Sequence, residues 1–249
     1  MPPNVIDIPT YPDPENLSAS KAENGTVAPV PTVTTENYKL QIFQSSSYLL
    51  AHILIGIVVG ISLLFSFRNG LPLGATPLHI VLCVIGYQLL MAEAIICLSS
   101  DNGWSSKLRV VDKRRAHWIL QILGAGLALA GSFIKILDKD VHWNTLHGQF
   151  ALVAMVFTAV SFVNGFSSLY AYNLRKFFNG NFSKITHICF GIVAFVAATI
   201  SLCYGFEKGF FMNWATPEMT YTLIAFTAAF TFIIIINPFI NFYRKTLYR

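Results

Sequence analysis

Charge is scarce in this sequence. Asp, Glu, Lys and Arg make up 12% of its 249 residues, against 54% hydrophobic, and the mean hydropathy is +0.57. A soluble domain of this length carries roughly twice that charged fraction, so an ordinary soluble fold is excluded. Cysteine is scarce too: Cys83, Cys97, Cys189 and Cys203 all fall inside apolar stretches, and no CxxC pair occurs. That excludes a redox dithiol, and each of the four reads as a small apolar residue. A basic start followed by an apolar core is also missing. Residues 1–45 are rich in Pro, Ser, Thr, Asn and Glu, with no periodic apolar face. Such a segment cannot bury enough apolar surface to offset its ordering entropy, so 1–45 is expected to be a disordered tail and not a cleaved signal peptide.

Long apolar runs, by contrast, are abundant. Six stand out, at 48–66, 78–98, 117–134, 148–168, 187–206 and 220–240. Each approaches the ~20 residues that cross ~30 Å of hydrocarbon. The expected fold class is an all-α membrane protein with six transmembrane helices, its membrane domain covering 46–245.

Basic residues in short loops set the expected orientation. Lys107, Arg109, Lys113, Arg114 and Arg115 lie between spans 2 and 3, Arg175, Lys176 and Lys184 between spans 4 and 5, and Arg244, Lys245 and Arg249 at the end. All three groups fall on one side of a six-span path, which is therefore expected to be cytoplasmic, with both termini inside. The opposite side is poorer: Arg68, then Lys135 and Lys139 offset by Asp138 and Asp140, then Lys208 near Glu207 and Glu218. The net charge of +5 is mostly this topology signal, and it calls for no nucleic-acid partner. Sequons at Asn16, Asn24 and Asn181 fall on the cytoplasmic side and read as chance matches.

Four of the six histidines stand at span starts: His79, His117, His147 and His187. Span direction puts His79 and His147 near the outer face and His117 and His187 near the inner face. The spacing agrees, 68 residues for the first pair and 70 for the second, as if 79–117 and 147–187 were two copies of one helical hairpin. Two imidazoles at one depth suit haem, whose iron needs only two axial ligands from protein. Zinc would want three or four ligands, and no acid or thiolate shares either depth. The absence of CxxCH leaves non-covalent haem. Two such haems would put their irons roughly 20 Å apart along helices of this length. The plainer reading of an intramembrane histidine is an interhelical hydrogen bond, and a divalent-metal transporter using membrane histidines as stepping sites is the competing function.

Thr76-Pro77 reads as a helix start and Ser183 as a cap upstream of His187. His52 reads as a structural or haem-contacting residue. Glu93, costly inside a span, is expected to hydrogen-bond near the inner haem, to a propionate or to a ligand histidine's second nitrogen. Asn164 and Gly165 read as permitting close approach.

The stretches "LHIVLCVIGYQLLMAEAI", "RRAHWILQILG", "HWNTLHGQFAL" and "KITHICFGIVAF" together resemble the core helices of the cytochrome b561 family. The details "LMAEA", "HWILQ" and "HGQ" are most similar to its domain-containing-protein-2 branch of transmembrane reductases. The resemblance covers about 45–245. It implies two b-type haems in a four-helix bundle of spans 2–5, with spans 1 and 6 peripheral. It also implies an ascorbate-dependent oxidoreductase that passes electrons across the membrane to monodehydroascorbate or a ferric chelate, in an endomembrane or the plasma membrane, and a homodimer. Lys113, Arg114, Arg115 and Lys184, close before the inner histidines, are then candidates for the ascorbate site, though positive-inside topology accounts for much of the same charge. The family's lysine pattern is not fully reproduced there. His142, Asn144 and Arg68 are candidates for the outer acceptor site.

Overall fold

The computed structural model describes residues 35–169 and 180–247. Among them every regular element is helical. We label them α1 (Thr35–Phe67), α2 (Ala75–Ile96), α3 (Val110–Leu137), α4 (Leu146–Leu169), α5 (Gly180–Phe206), a short α6 (Gly209–Ala215) and α7 (Pro217–Leu247). All but α6 contain a stretch long and apolar enough to span a bilayer, so the chain is a multi-pass integral membrane protein. In lipid a helix satisfies its own backbone, which is why apolar runs of this length adopt no other open form.

α1 starts well before the boundary expected at 46. After Pro31 no Pro or Gly interrupts the chain until Gly56, so nothing stops the helix from running back to Thr35. The remainder of the expected tail, 1–34, lies outside the described residues. At its other end α1 closes in a turn at Gly70, whose φ of 76° suits a residue without a Cβ. Pro217 opens α7, where a missing N–H costs nothing.

α2 and α3 form one antiparallel hairpin, α4 and α5 a second, and α7 packs on α5. In the first hairpin the backbones nearly touch. A Cβ added to Gly86 would fall 2.6 Å from the Gly124 carbonyl oxygen and 2.7 Å from the Ala128 nitrogen. Within this contact, Val84–Met91 is wound as a π-helix, a local widening often found at functional sites. It turns Tyr87 toward α4, where the phenol meets Thr158 Oγ1 at 3.3 Å, and it buries Gln88 to 1% exposure. A large apolar cluster joins α1, α2, α5, α6 and α7 through residues such as Ile55, Phe65, Ile96, Phe195, Leu223 and Phe230. Trp118, Ile119, Ile122 and Leu123 remain uncovered on α3, as lipid-facing side chains do.

Candidate functional site

The two hairpins face each other and bring four histidines together as two pairs. His79 of α2 and His147 of α4 have ring centroids 6.1 Å apart with planes at 87°. His117 of α3 and His187 of α5 are 6.2 Å apart at 88°. These are the pairs expected from span parity and spacing.

Each ring is fixed by a carbonyl of the opposite helix in its own hairpin. His79 Nδ1 donates to the Gly131 oxygen at 2.9 Å, His117 Nδ1 to Ala94 at 2.6 Å, His147 Nδ1 to Ser201 at 2.7 Å, and His187 Nδ1 to Ser161 at 2.9 Å. A carbonyl only accepts, so Nδ1 carries the hydrogen and Nε2 keeps its lone pair. This is the usual way a ligand histidine is held. Small residues make room for the rings: a Cβ on Gly165 would fall 3.1 Å from His187 Cε1, and one on Gly205 3.4 Å from His147 Cε1.

The geometry fits a planar group with two axial positions. An imidazole nitrogen binds a first-row metal at about 2.0 Å, and the ring centre lies about 1 Å further back, so two ligands on opposite faces of one ion place their centroids about 6 Å apart. Both pairs have that separation. The described residues hold no group of three or more His, Cys, Asp or Glu that would suit a metal ion bound by protein alone. Between the two levels, the interval from His117 to Gly131 along α3 spans about 21 Å at 1.5 Å per residue.

The surroundings of the two pairs differ. At His79 and His147 a cavity of about 260 Å³ is lined also by Thr76, Cys83, Gln88, Lys135, Lys139 and Lys208. A smaller adjoining cavity adds His142, Trp143, Asn144 and Thr145, with Trp143 held at a φ of 58°. His142 and Asn144 thus stand at this mouth. Arg68 does not line it; its guanidinium lies 3.7 Å over the Phe65 ring and bonds the Phe65 carbonyl at 2.6 Å. The three lysines were missed because nearby acids masked them in the sequence. Lys139 lies just beyond the end of α3 at Leu137, so helical periodicity could not relate it to Lys135. Lys135 Nζ also donates to Thr76 Oγ1 at 2.7 Å and to Asp138 Oδ2.

At His117 and His187 the basic residues are dispersed. Lys113 is buried, its ammonium held by the Ser99 carbonyl at 2.8 Å. Arg115 reaches Asp112 at 3.3 Å, and Arg114 and Lys184 are exposed. Arg175 and Lys176 lie outside the described residues.

Three local readings change. Thr76 does not cap α2: the cap position is Gly74, and Thr76 lies inside the helix, its hydroxyl accepting from Lys135. Ser183 sits within α5 and donates to the Asn164 carbonyl at 3.2 Å. Glu93 does not bond a ligand histidine, since Ala94 takes that place; its oxygens meet His52 Nδ1 at 2.9 Å and Trp104 Nε1 at 3.0 Å.

A helical membrane protein that crosses the bilayer six times and carries two sets of paired, carbonyl-oriented histidines belongs to the class of membrane redox carriers. The comparisons name the family. The sequence model described as eukaryotic cytochrome b561 matches residues 78–212, more than half of the chain and all four paired histidines. The chain belongs to the cytochrome b561 family. Among its relatives, transmembrane reductase CYB561D2 of Mus musculus is 28% identical over 226 residues, covering 87% of this chain and 98% of its own length. The Homo sapiens protein of the same name is 29% identical over 175 residues, covering 68% and 78%. Membership makes the chain a b-haem-binding oxidoreductase of transmembrane electron transfer.

Proposed function

We propose that the protein carries single electrons from cytosolic ascorbate, by way of two b haems, to an acceptor across the membrane, either monodehydroascorbate or a ferric chelate. The observation that carries this reading is the pair of perpendicular histidine couples, 6.1 and 6.2 Å between centroids, at opposite ends of one four-helix core. In it His79 with His147 would hold one haem and His117 with His187 the other. Haem held in this way would supply a one-electron couple and not an oxygen-binding site.

The protein's own residues do the rest. Gly131, Ala94, Ser161 and Ser201 fix each ligand's tautomer through their carbonyls. The apolar helices keep water away from the interval between the two levels. By the distribution of Lys and Arg in the loops, we place both termini and the His117/His187 end in the cytoplasm. Arg114, Arg115 and Lys184 then form the cationic approach for an ascorbate monoanion, with Lys113 shaping the helix start. On the other face Lys135, Lys139, Lys208, His142 and Asn144 surround the acceptor, which their charge requires to be anionic.

The test is a visible spectrum of the purified chain before and after ascorbate. A sharp reduced α-band at two haems per chain, lost in stages in His117→Ala and His147→Ala, is expected. A colourless, folded protein expressed with ample haem would overturn the reading. A divalent-metal pathway, the competing function, would call for acids along a central path. Glu93, the acid seated in α2, is instead paired with His52 and Trp104.

A further inference from the structure

Glu93 sits near the loop end of an apolar span, where a carboxylate without partners is expensive. Its partners define a site that the histidine pairs do not use. Oε2 accepts from Trp104 Nε1 at 3.0 Å, and Oε1 lies 2.9 Å from His52 Nδ1. Across the imidazole, His52 Nε2 meets Asn102 Oδ1 at 3.0 Å. Asn102 is fully buried, and its Nδ2 donates to Ser105 Oγ at 2.9 Å, so the amide oxygen is the atom that faces His52.

Those contacts count protons. An amide oxygen only accepts, so Nε2 carries a hydrogen. Nδ1 has no hydrogen-bond partner besides its contact with Glu93. With no second hydrogen, its lone pair would oppose a carboxylate oxygen at 2.9 Å. One added proton removes the conflict, giving either an imidazolium beside a carboxylate or a neutral imidazole beside a carboxylic acid.

Position links this proton to electron entry. The residue after Glu93 is Ala94, whose carbonyl holds His117 Nδ1 at 2.6 Å and also accepts from Cys97 Sγ at 3.1 Å. Neither His52 nor Glu93 hydrogen-bonds His117 or His187 among the described residues. The other titratable or charged groups close by are Tyr48 on α1, Cys97 at the end of α2, Asp101 in the loop and Lys113 on α3. Tyr48 bonds Asn237, Cys97 bonds backbone carbonyls, Asp101 takes Ser100 Oγ, and Lys113 is held by Ser99. The side chains of His52 and Glu93 are 27% and 19% exposed, while His52 Nδ1 itself is buried.

We propose that His52 and Glu93 form a redox-linked proton site serving the His117/His187 centre. The inference rests on the assignment of a haem to that centre. An electron placed there adds negative charge near the couple, and in a low-dielectric setting this tightens its hold on a proton. For an enediol monoanion as donor, one O–H bond breaks. The electron goes to the centre, the proton goes to the emptied His52–Glu93 couple, and a donor radical anion leaves. When the electron moves on to the His79/His147 level, the proton returns to the face it came from, so none crosses the membrane.

The experiment is a spectroscopic redox titration of the full chain in lipid nanodiscs, between about pH 5 and 8 where histidine groups titrate. Wild type is expected to show one potential that falls with rising pH by up to about 59 mV per unit, a tenfold change in proton activity for a one-electron couple. Glu93→Gln and His52→Gln, each at wild-type haem content, flatten that slope, and Trp104→Phe keeps it. A flat wild-type potential, or an equal slope in both variants, overturns the proton site and leaves the electron-transfer reading standing. A folded chain that binds no haem overturns both.

Discussion

The two hairpins do the same work with different chemistry. In each, a histidine near one end of each helix points its Nδ1 at a carbonyl of the other helix. In α4/α5 those carbonyls belong to Ser161 and Ser201, whose hydroxyls lie 3.2 Å from the same Nδ1 atoms and donate back to the histidines' own carbonyls. In α2/α3 the carbonyls belong to Ala94 and Gly131, and the nearby third group is a thiol: Cys97 donates to Ala94, and Cys83 Sγ lies 3.5 Å from His79 Nδ1. Close approach is managed differently as well. Gly86 and Gly124 meet backbone to backbone in the first hairpin, whereas Gly191 in the second faces only Ser161 Oγ at 3.4 Å. The shared element is the carbonyl that fixes the tautomer. Hydroxyl, thiol and glycine contacts are alternative ways of setting the distance at which it works.

The largest effect should come from cutting across the hairpins. Each pair takes one histidine from each, so His79→Ala and His147→Ala should remove the same haem component, and His117→Ala and His187→Ala the other. Low-temperature difference spectra of the four variants check this. If His79→Ala and His117→Ala gave the same loss, the sites would lie within hairpins and the pairing would be wrong.

Next in size is the packing asymmetry. A methyl at Gly86 would press on backbone atoms that cannot move independently of α3, and overpacking of that kind costs typically about 1–3 kcal/mol. Gly86→Ala should therefore lower the thermal midpoint of the detergent-solubilised protein. Gly191→Ala meets an ordinary van der Waals contact and should leave it close to wild type. Gly126 has nothing within 4 Å of a built Cβ, so Gly126→Ala should match or exceed wild type, by up to about 1 kcal/mol of helix propensity.

Much of this was legible in advance. Six apolar runs gave the six spans, but α1, α3 and α5 begin well before their runs, at Thr35, Val110 and Gly180, and α7 ends well after its run, at Leu247. α1 extends backward through residues that carry no helix breaker. Span parity and two nearly equal spacings gave both histidine pairs, since membrane depth turns sequence position into one spatial coordinate. The carbonyl partners were not legible, because any residue supplies a carbonyl and side-chain identity records nothing of it. Glu93 was legible as an anomaly but its partner was not. His52 reaches it from α1, and nothing in linear spacing relates a peripheral span to the core. Lys135, Lys139 and Lys208 were read as charges cancelled by neighbouring acids, yet the fold gathers them around one cavity and leaves Arg68 stacked on Phe65 elsewhere. Sequence proximity of opposite charges is a poor guide when the fold decides which charge meets the cavity.

That lysine cluster gives a third prediction, comparing the two ends of the bundle. Lys139→Ala with Lys208→Ala should raise the KM for an anionic ferric chelate several-fold, with the KM for ascorbate added from the other face unchanged. The increase should shrink as salt rises, because exposed charges act over about 10 Å at 0.1 M ionic strength. Equal effects on both substrates would point to a general loss of structure.

The smallest effect returns to the serines. Ser201→Ala removes a hydroxyl that both accepts from His147 Nδ1 at 3.2 Å and donates to the His147 carbonyl at 2.9 Å, but it keeps the Ser201 carbonyl at 2.7 Å. Gly131 offers His79 only its carbonyl, so the variant brings the His147 site nearer to its partner, which keeps the Cys83 thiol 3.5 Å from Nδ1. A single hydrogen bond of this kind contributes about 0.5–1.5 kcal/mol. Ser201→Ala is thus expected to bind haem fully, with a small loss of thermal stability and a modest shift in one potential. Ser161→Ala should do the same to the other potential and by less, since the bond that Ser161 returns to His187 is longer, 3.4 Å. Loss of haem in Ser201→Ala would mean that the hydroxyl, and not the carbonyl, holds the ligand in the second hairpin, and that the two hairpins do not share one device.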